Sequence, residues 1–342
     1  MTVKSFALVA TAAVALAIPA IADARSMRAV GSSTVYPFAK IVAEHVARAN
    51  PRLGTPIIES TGTGGGFKLF CAGIGERFPD VSDASRRMKA SEAKQCAANG
   101  VTQITEIQVG IDGIAFATAK QTGLSGIAQR DIYAALAKMP FGRPNRAKTW
   151  KDVNPKLPAL PIRVYGPPPT SGTRDALAEL LMTPPCEEKM SALKKSDEKK
   201  FKAICTEIRE DGAYIEAGEN DNLIVQKLEA NPGTVGIFGY SYLEENANRL
   251  KGLQINGVSP TYQSISSFRY PGARPLYIYV KNAHVAAIPA IRAFVAEFTK
   301  ESAMGPNGYL KAAGLIASPN GVRARSQQAA RTLAPLNLSV LK

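Results

Sequence analysis

What most limits the folds open to this chain is a recurring alternation of short apolar runs, suited to buried strands, with stretches whose apolar residues return at helical spacing. Met27 to Val30 reads as a strand. Pro37 to Asn50 reads as a helix, because Phe38, Ile41, Val42 and Val46 fall on one face and Asn50-Pro51 stops it. The unit repeats, with Pro56 to Glu59 as strand, Gly62 to Gly66 as turn and Phe67 to Gly73 as helix. Val81 to Ser85 then enters another loop before a helix over Ser91 to Asn99. Strands and helices in regular succession predict an α/β protein with mainly parallel strands.

Further along, Ile107 to Thr118 is a long apolar run containing Asp112 and Gly113, which suits a buried strand crossing between two lobes. Arg274 to Val280 is a second candidate crossing. Between them lie a helix over Arg130 to Lys138, a strand over Ile162 to Tyr165, a helix beginning near Gly172 and a strand over Val235 to Phe238. Two crossings would divide the chain into a first lobe of residues 25–110 with 270–342 and a second of residues 111–269. A ligand cleft is expected where the lobes meet.

Lys4, the apolar run Phe6 to Ile18 and the small residues Ala20, Ala22 and Ala24 predict a signal peptide over residues 1–24, cleaved after Ala22 or Ala24. No Cys stands at that point to take a lipid anchor, so a free periplasmic protein is expected. Residues 1–24 hold one Lys and one Asp, so the net charge of +14 belongs to what remains. A basic chain suits nucleic acid, an anionic membrane surface or small anions drawn in by its field. Export makes nucleic acid the poorest of these. An apolar fraction of 45% supplies a core for each of two lobes. The charged stretch Glu187 to Lys202 and the basic stretch Arg323 to Arg331 read as solvated faces.

The cysteines Cys71, Cys96, Cys186 and Cys205 form no C-x-x-C pair that would point to zinc or redox chemistry, and no metal or cofactor is expected. Of the three connectivities open to them, the local pairs Cys71 with Cys96 and Cys186 with Cys205 are expected, since each closes a short loop in an oxidising compartment.

Four segments share one chemistry, with small residues and hydroxyls where a strand hands over to a helix. They are Gly31 to Val35, Ser60 to Gly66, Ser82 to Arg87 and Thr170 to Asp175. The first amides of a helix lack internal partners and carry partial positive charge, so each segment can present N–H groups to an anion. Ser and Thr hydroxyls complete a tetrahedral shell. Any one of them alone would be ordinary helix capping. Together they could enclose a tetraoxyanion.

In combination these segments resemble the phosphate-binding subunit of the phosphate-specific ABC transporter. The resemblance rests on GSSTVYPF at Gly31 to Phe38, STGTGGGF at Ser60 to Phe67, DASRRM at Asp83 to Met88 and TSGTRDAL at Thr170 to Leu177. It extends through VGIDGIAFA at Val109 to Ala117, WKDVNP at Trp150 to Pro155 and NPGTVGIFGYSY at Asn231 to Tyr242. It implies the two-lobed periplasmic binding protein fold of type II, with two hinge strands closing around one phosphate, and the permease subunits of an ABC importer as partners. A monomer is expected. The resemblance places Thr34 and the Val35 amide, Thr63 and Gly64, Ser85 and Arg86, and Ser171, Gly172, Thr173 and Arg174 around the ligand. Some members carry an Arg upstream of the fourth-loop serine, where this chain has Pro167 to Pro169, so Arg174 becomes the candidate charged partner. Selectivity over sulfate needs a buried acceptor for the proton phosphate still carries near neutral pH. Asp83 and Asp112 are the candidates.

Enzyme readings find little support in the residues. His45 and His284 lie in helix-like stretches away from the four segments, where surface or packing roles are expected. Neither Ser33 nor Ser171 sits in G-x-S-x-G. STGTGGGF lacks the Lys-Ser/Thr ending of a nucleotide loop. The expected role is capture of phosphate without chemistry. A receptor for sulfate or molybdate, a secreted phosphatase and an adhesion or scaffold protein on the same fold are the alternatives.

Overall fold

The computed structural model describes residues 25–169, 171–218, 221–338 and 341, so the expected signal peptide lies outside the described residues. The chain opens with β1 (Arg28–Gly31), α1 (Tyr36–Ala49), β2 (Ile57–Ser60), α2 (Thr63–Phe70), β3 (Val81–Ala84), α3 (Ala90–Ala98) and the long β4 (Ile104–Ala119). Next come β5 (Gly126–Ile127), α4 (Gln129–Leu136), α5 (Trp150–Val153), β6 (Val164–Gly166) and α6 (Gly172–Ala176). A π-helical turn (Leu177–Met182) leads into α7 (Thr183–Ser196), α8 (Glu198–Thr206), β7 (Tyr214–Glu216), α9 (Asp221–Ala230) and β8 (Val235–Gly239). After α10 (Tyr240–Glu245), β9 (Leu250–Gly252), β10 (Gln254–Ile255) and α11 (Tyr262–Ser266), the chain returns through β11 (Ala273–Lys281) to α12 (Ala290–Phe298), α13 (Glu301–Met304) and α14 (Asn320–Thr332).

Helix α1 follows from its sequence. A proline stands in its first turn, Phe38, Ala39, Val42, Ala43 and Val46 are buried at three-to-four-residue spacing, and Asn50 ends it with non-helical torsions. Helix α2 starts earlier than its apolar residues suggest and takes in Gly64 to Gly66. Those glycines are poor helix formers, but contact with the sheet overrides propensity. A Cβ on Gly66 would lie 2.5 Å from the Gly31 Cα and 3.0 Å from the Val30 carbonyl oxygen, so only glycine lets α2 sit this close to β1.

The main sheet runs β2-β1-β3-β11-β4-β8-β6-β7, with β9 also on β4, and β10-β5 forms a separate pair. It is mixed rather than mainly parallel. β1 is parallel to β2 and β3, and β6 to β7 and β8. The two long strands are antiparallel to each other, and each is antiparallel to the strands beside it. Antiparallel pairing follows from the path of the chain, because β4 leads out of one half of the molecule and β11 comes back beside it. They pair from Ala273 opposite Gly113 to Lys281 opposite Ile104, with an irregularity at Leu276/Tyr277.

Buried apolar residues gather on the two sides of this crossing. One core draws on Ile111 to Tyr270, with Ile316 added from the C-terminal stretch. Another combines Met27 to Val46 with Leu276 to Leu333, and a third packs Phe67, Phe70, Met88 and Ile104 around Tyr279. The disulfides are the expected local ones: Cys71–Cys96 joins the ends of α2 and α3, and Cys186–Cys205 joins α7 to α8. Both Cys186 and Cys205 are fully buried, in a core that also takes in Phe201, Ile204 and Ile208. Replacing both by serine is expected to lower unfolding stability by about 2–4 kcal/mol in a urea titration, with far-UV circular dichroism unchanged at low urea.

Candidate functional site

The first segment leaves β1 at Gly31, where the Ser32 amide donates to the Asp83 carbonyl at 2.9 Å. The Ser32 hydroxyl accepts from the Thr34 amide at 3.2 Å and from the Val35 amide at 3.4 Å, turning the chain into α1. Thr34 and Val35 are both buried. The second and third segments are tied together: the Thr63 hydroxyl lies 3.0 Å from the Ser85 hydroxyl and accepts from the Ser85 amide at 3.1 Å. Gly64 follows Thr63 in the first turn of α2. In the fourth, Ser171 caps α6 by accepting from the Thr173 amide at 3.2 Å.

The fourth segment meets the first directly. Thr34 Oγ1 donates to the Gly172 carbonyl at 3.3 Å, and Ser33 Oγ donates to Asp175 at 2.5 Å. A Cβ on Gly172 would lie 2.5 Å from the Thr34 Cα, so the backbones touch as only glycine allows. A cavity of about 420 Å³ opens beside this contact, lined by Ser33, Thr34, Asp112, Ser171, Gly172 and Thr173 among others.

The two candidate carboxylates differ sharply. Asp83 lies in β3 between β1 and β11, is 1% exposed, and neither carboxylate oxygen has a hydrogen-bond partner among the described residues. Burial with nothing to offset it pushes its pKa up to about 8. Asp112 is also raised by burial, but Arg274 Nε donates to its Oδ2 at 3.1 Å and pulls the other way. Asp112 thus has a partner and Asp83 has none.

The loop arginines are engaged away from the cavity. Arg86 makes a two-pronged contact with Glu92 at 2.7 and 2.9 Å, tying the third segment to α3. Arg174 donates to the Pro167 carbonyl at 3.1 Å, stacks over Tyr214 at 4.5 Å and reaches Glu216 at 3.7 Å. Instead, Arg274 stands beside the loops. It is 3% exposed, and its Nη2 donates to Thr34 Oγ1 and to the Gly172 carbonyl. From the sequence alone, Arg274 is legible only as the start of the second crossing strand. A charged residue at the head of the apolar run RPLYIYV was the available signal, since burying it demands partners. The histidines lie elsewhere: His45 stacks on Tyr309 at 4.1 Å, and buried His284 meets Asp80 at 2.6 Å.

Residues 19–302 match the model of a family described as a PBP superfamily domain. Protein SphX of Synechococcus elongatus is 34% identical, over 93% of this chain and 84% of its own length. The phosphate-binding protein PstS of Staphylococcus saprophyticus is 31% identical, over 73% of this chain and 68% of its own. This chain belongs to the PBP superfamily, in the family of SphX and PstS. Among solved structures, a possible phosphate binding protein from Planctomyces limnophilus superposes with a TM-score of 0.71 at 28% identity, covering 90% of this chain and 98% of the other. An ABC-type phosphate transport receptor from Vibrio cholerae shares the fold at a TM-score of 0.55 and 18% identity, over 81% and 95% of the two chains. The fold of this family member is therefore the two-lobed type II binding-protein fold, in which β4 and β11 cross between lobes and the cavity lies in the cleft.

Two consequences can be measured. Asp83 binds its proton more tightly in the folded chain, so its contribution to stability is full below its ordinary value of 3.8 and is lost as pH rises through about 8. For protein dialysed free of anions, melting temperature should fall across that window, and Asp83→Asn should flatten the fall and melt higher at about pH 9. Gly172→Ala would strain the backbone contact with Thr34 by about 1–3 kcal/mol, so anion binding measured by calorimetry should weaken roughly 5- to 150-fold.

Proposed function

We propose that this chain captures inorganic phosphate in the cleft and delivers it to the permease subunits of an ABC importer. The lobes would be residues 25–110 with 270–342 and residues 111–269, moving about β4 and β11. Thr34, the Val35 amide, Thr63, Gly64 and Ser85 would bind from one side, and Ser171, Gly172 and Thr173 from the other. The printed name of PstS, a phosphate-binding protein, supports capture of phosphate, and the leader-like residues 1–24 support a periplasmic site of action.

The observation that carries this reading is Asp83, a fully buried carboxylate without a partner among the described residues, in the strand that feeds the third segment. An ionised Asp83 accepts a hydrogen bond from the proton that phosphate retains. Sulfate has no such proton, so it is tolerated only while Asp83 is itself protonated. Discrimination therefore sharpens as pH rises through about 8, the value to which burial pushes Asp83.

Isothermal titration of the dialysed protein at about pH 9, above the raised Asp83 value, is the test. One-to-one binding of phosphate with no heat from sulfate or molybdate is expected. Sulfate bound as tightly as phosphate at that pH would overturn the phosphate assignment, and no binding of any oxyanion would overturn the receptor reading.

A further inference from the structure

We infer that Arg274 is the cationic ligand of the captured anion, and that Glu179 is the counter-charge it releases when the anion enters. This rests on the phosphate-binding reading above and adds to it a residue outside all four loop segments.

Arg274 sits at the point where the lobes join. It lies directly opposite Asp112 in the β11–β4 register, and its Nε donates to that carboxylate at 3.1 Å. Its Nη2 serves groups on both sides of the cleft, the Thr34 hydroxyl from one and the Gly172 carbonyl, at 3.2 Å, from the other. Nη1 donates to Glu179 Oε2 at 2.7 Å. Arg86 and Arg174 belong to the loops but are held by Glu92 and by Pro167 and Tyr214. Arg274 belongs to no loop, yet bonds two residues that the loops contribute to the cavity lining.

Charge balance then decides which partner is permanent. One guanidinium between two carboxylates leaves a net negative cluster, and a second, divalent anion beside it would be repelled. Asp112, its side chain only 14% exposed, is fixed in mid-strand directly opposite Arg274 and cannot swing away. Glu179 rises from the π-helical turn with its side chain 56% exposed, so it can swing into water at little cost. Its departure frees Nη1 beside Nη2, the edge of a guanidinium that matches two oxygens of a tetrahedral anion. The anion then replaces Glu179, and Arg274 keeps Asp112 as its anchor.

Phosphate titration calorimetry on the full mature chain tests this with Glu179→Gln, Arg274→Lys, the charge-neutral pair Arg274→Met with Asp112→Asn, and Arg174→Ala. Removing the competing carboxylate should tighten binding by roughly three- to tenfold in Glu179→Gln, a gain that a merely structural Arg274 would not produce. Arg274→Lys keeps a charge but loses the fork and should weaken binding by roughly 10- to 100-fold, with the neutral pair weaker still. Arg174→Ala should stay within about threefold of wild type. Should the neutral pair fail to fold by circular dichroism, Arg274→Lys and Glu179→Gln decide. Wild-type binding with Arg274→Lys unaltered overturns the ligand role, and unaltered or weaker binding in Glu179→Gln overturns the exchange. A wild type that binds no phosphate refutes the underlying functional reading instead.

Discussion

The antiparallel pairing of β4 with β11 is the constraint on which the rest depends. Nine residues of β11 pair along β4, so the strand leaving one half of the molecule and the strand returning to it are held as one ribbon. Every group of the candidate site is placed relative to that ribbon. β3, which carries Asp83, pairs with β11, and β1, which delivers Thr34, pairs with β3. On the other side, β8 pairs with β4 and β6 with β8, and the chain leaving β6 leads to Gly172.

Buried charge tells where such a framework departs from what stability alone would favour. Asp83 and Arg274 are removed from water in the middle of a sheet and Asp112 keeps only partial access to it, in a location that ordinarily excludes ionisable groups. Asp112 and Arg274 offset each other's cost, and Thr34 and Gly172 take more of the guanidinium's protons. Asp83 has no such relief. A fold selected for stability alone would place an apolar residue or a partnered amide there, so the unrelieved carboxylate points to an interaction made with something other than the protein.

The fate of the arginines shows how far linear reading reaches. Arg174 follows Ser-Gly-Thr in the chain and looked like the charge nearest the ligand, but helical geometry turns its side chain toward Tyr214 and the Pro167 carbonyl. Arg86 is similarly drawn to Glu92 by a six-residue local contact. Arg274 lies about a hundred residues downstream of the fourth segment and reaches the same loops through strand pairing. Spacing along the chain reports local contacts well, whereas register between distant strands has no local signature.

By itself, the sequence determined the α/β class, the positions of most strands and helices and the two crossings, and it favoured the local disulfides over two other connectivities that the folded chain then excluded. Those follow from hydrophobic period, from turn residues and from short loops, all of which act over a few neighbours. It also marked the hydroxyl-rich turns, because small residues at strand-to-helix junctions are written contiguously. The antiparallel setting of the crossing strands, the extension of α2 through Gly64 to Gly66, the isolation of Asp83 and the arrival of Arg274 between Thr34 and Gly172 were decided only in the folded chain. Each depends on which distant segment packs alongside, and so on desolvation and close backbone approach, quantities that exist only once the strands have paired.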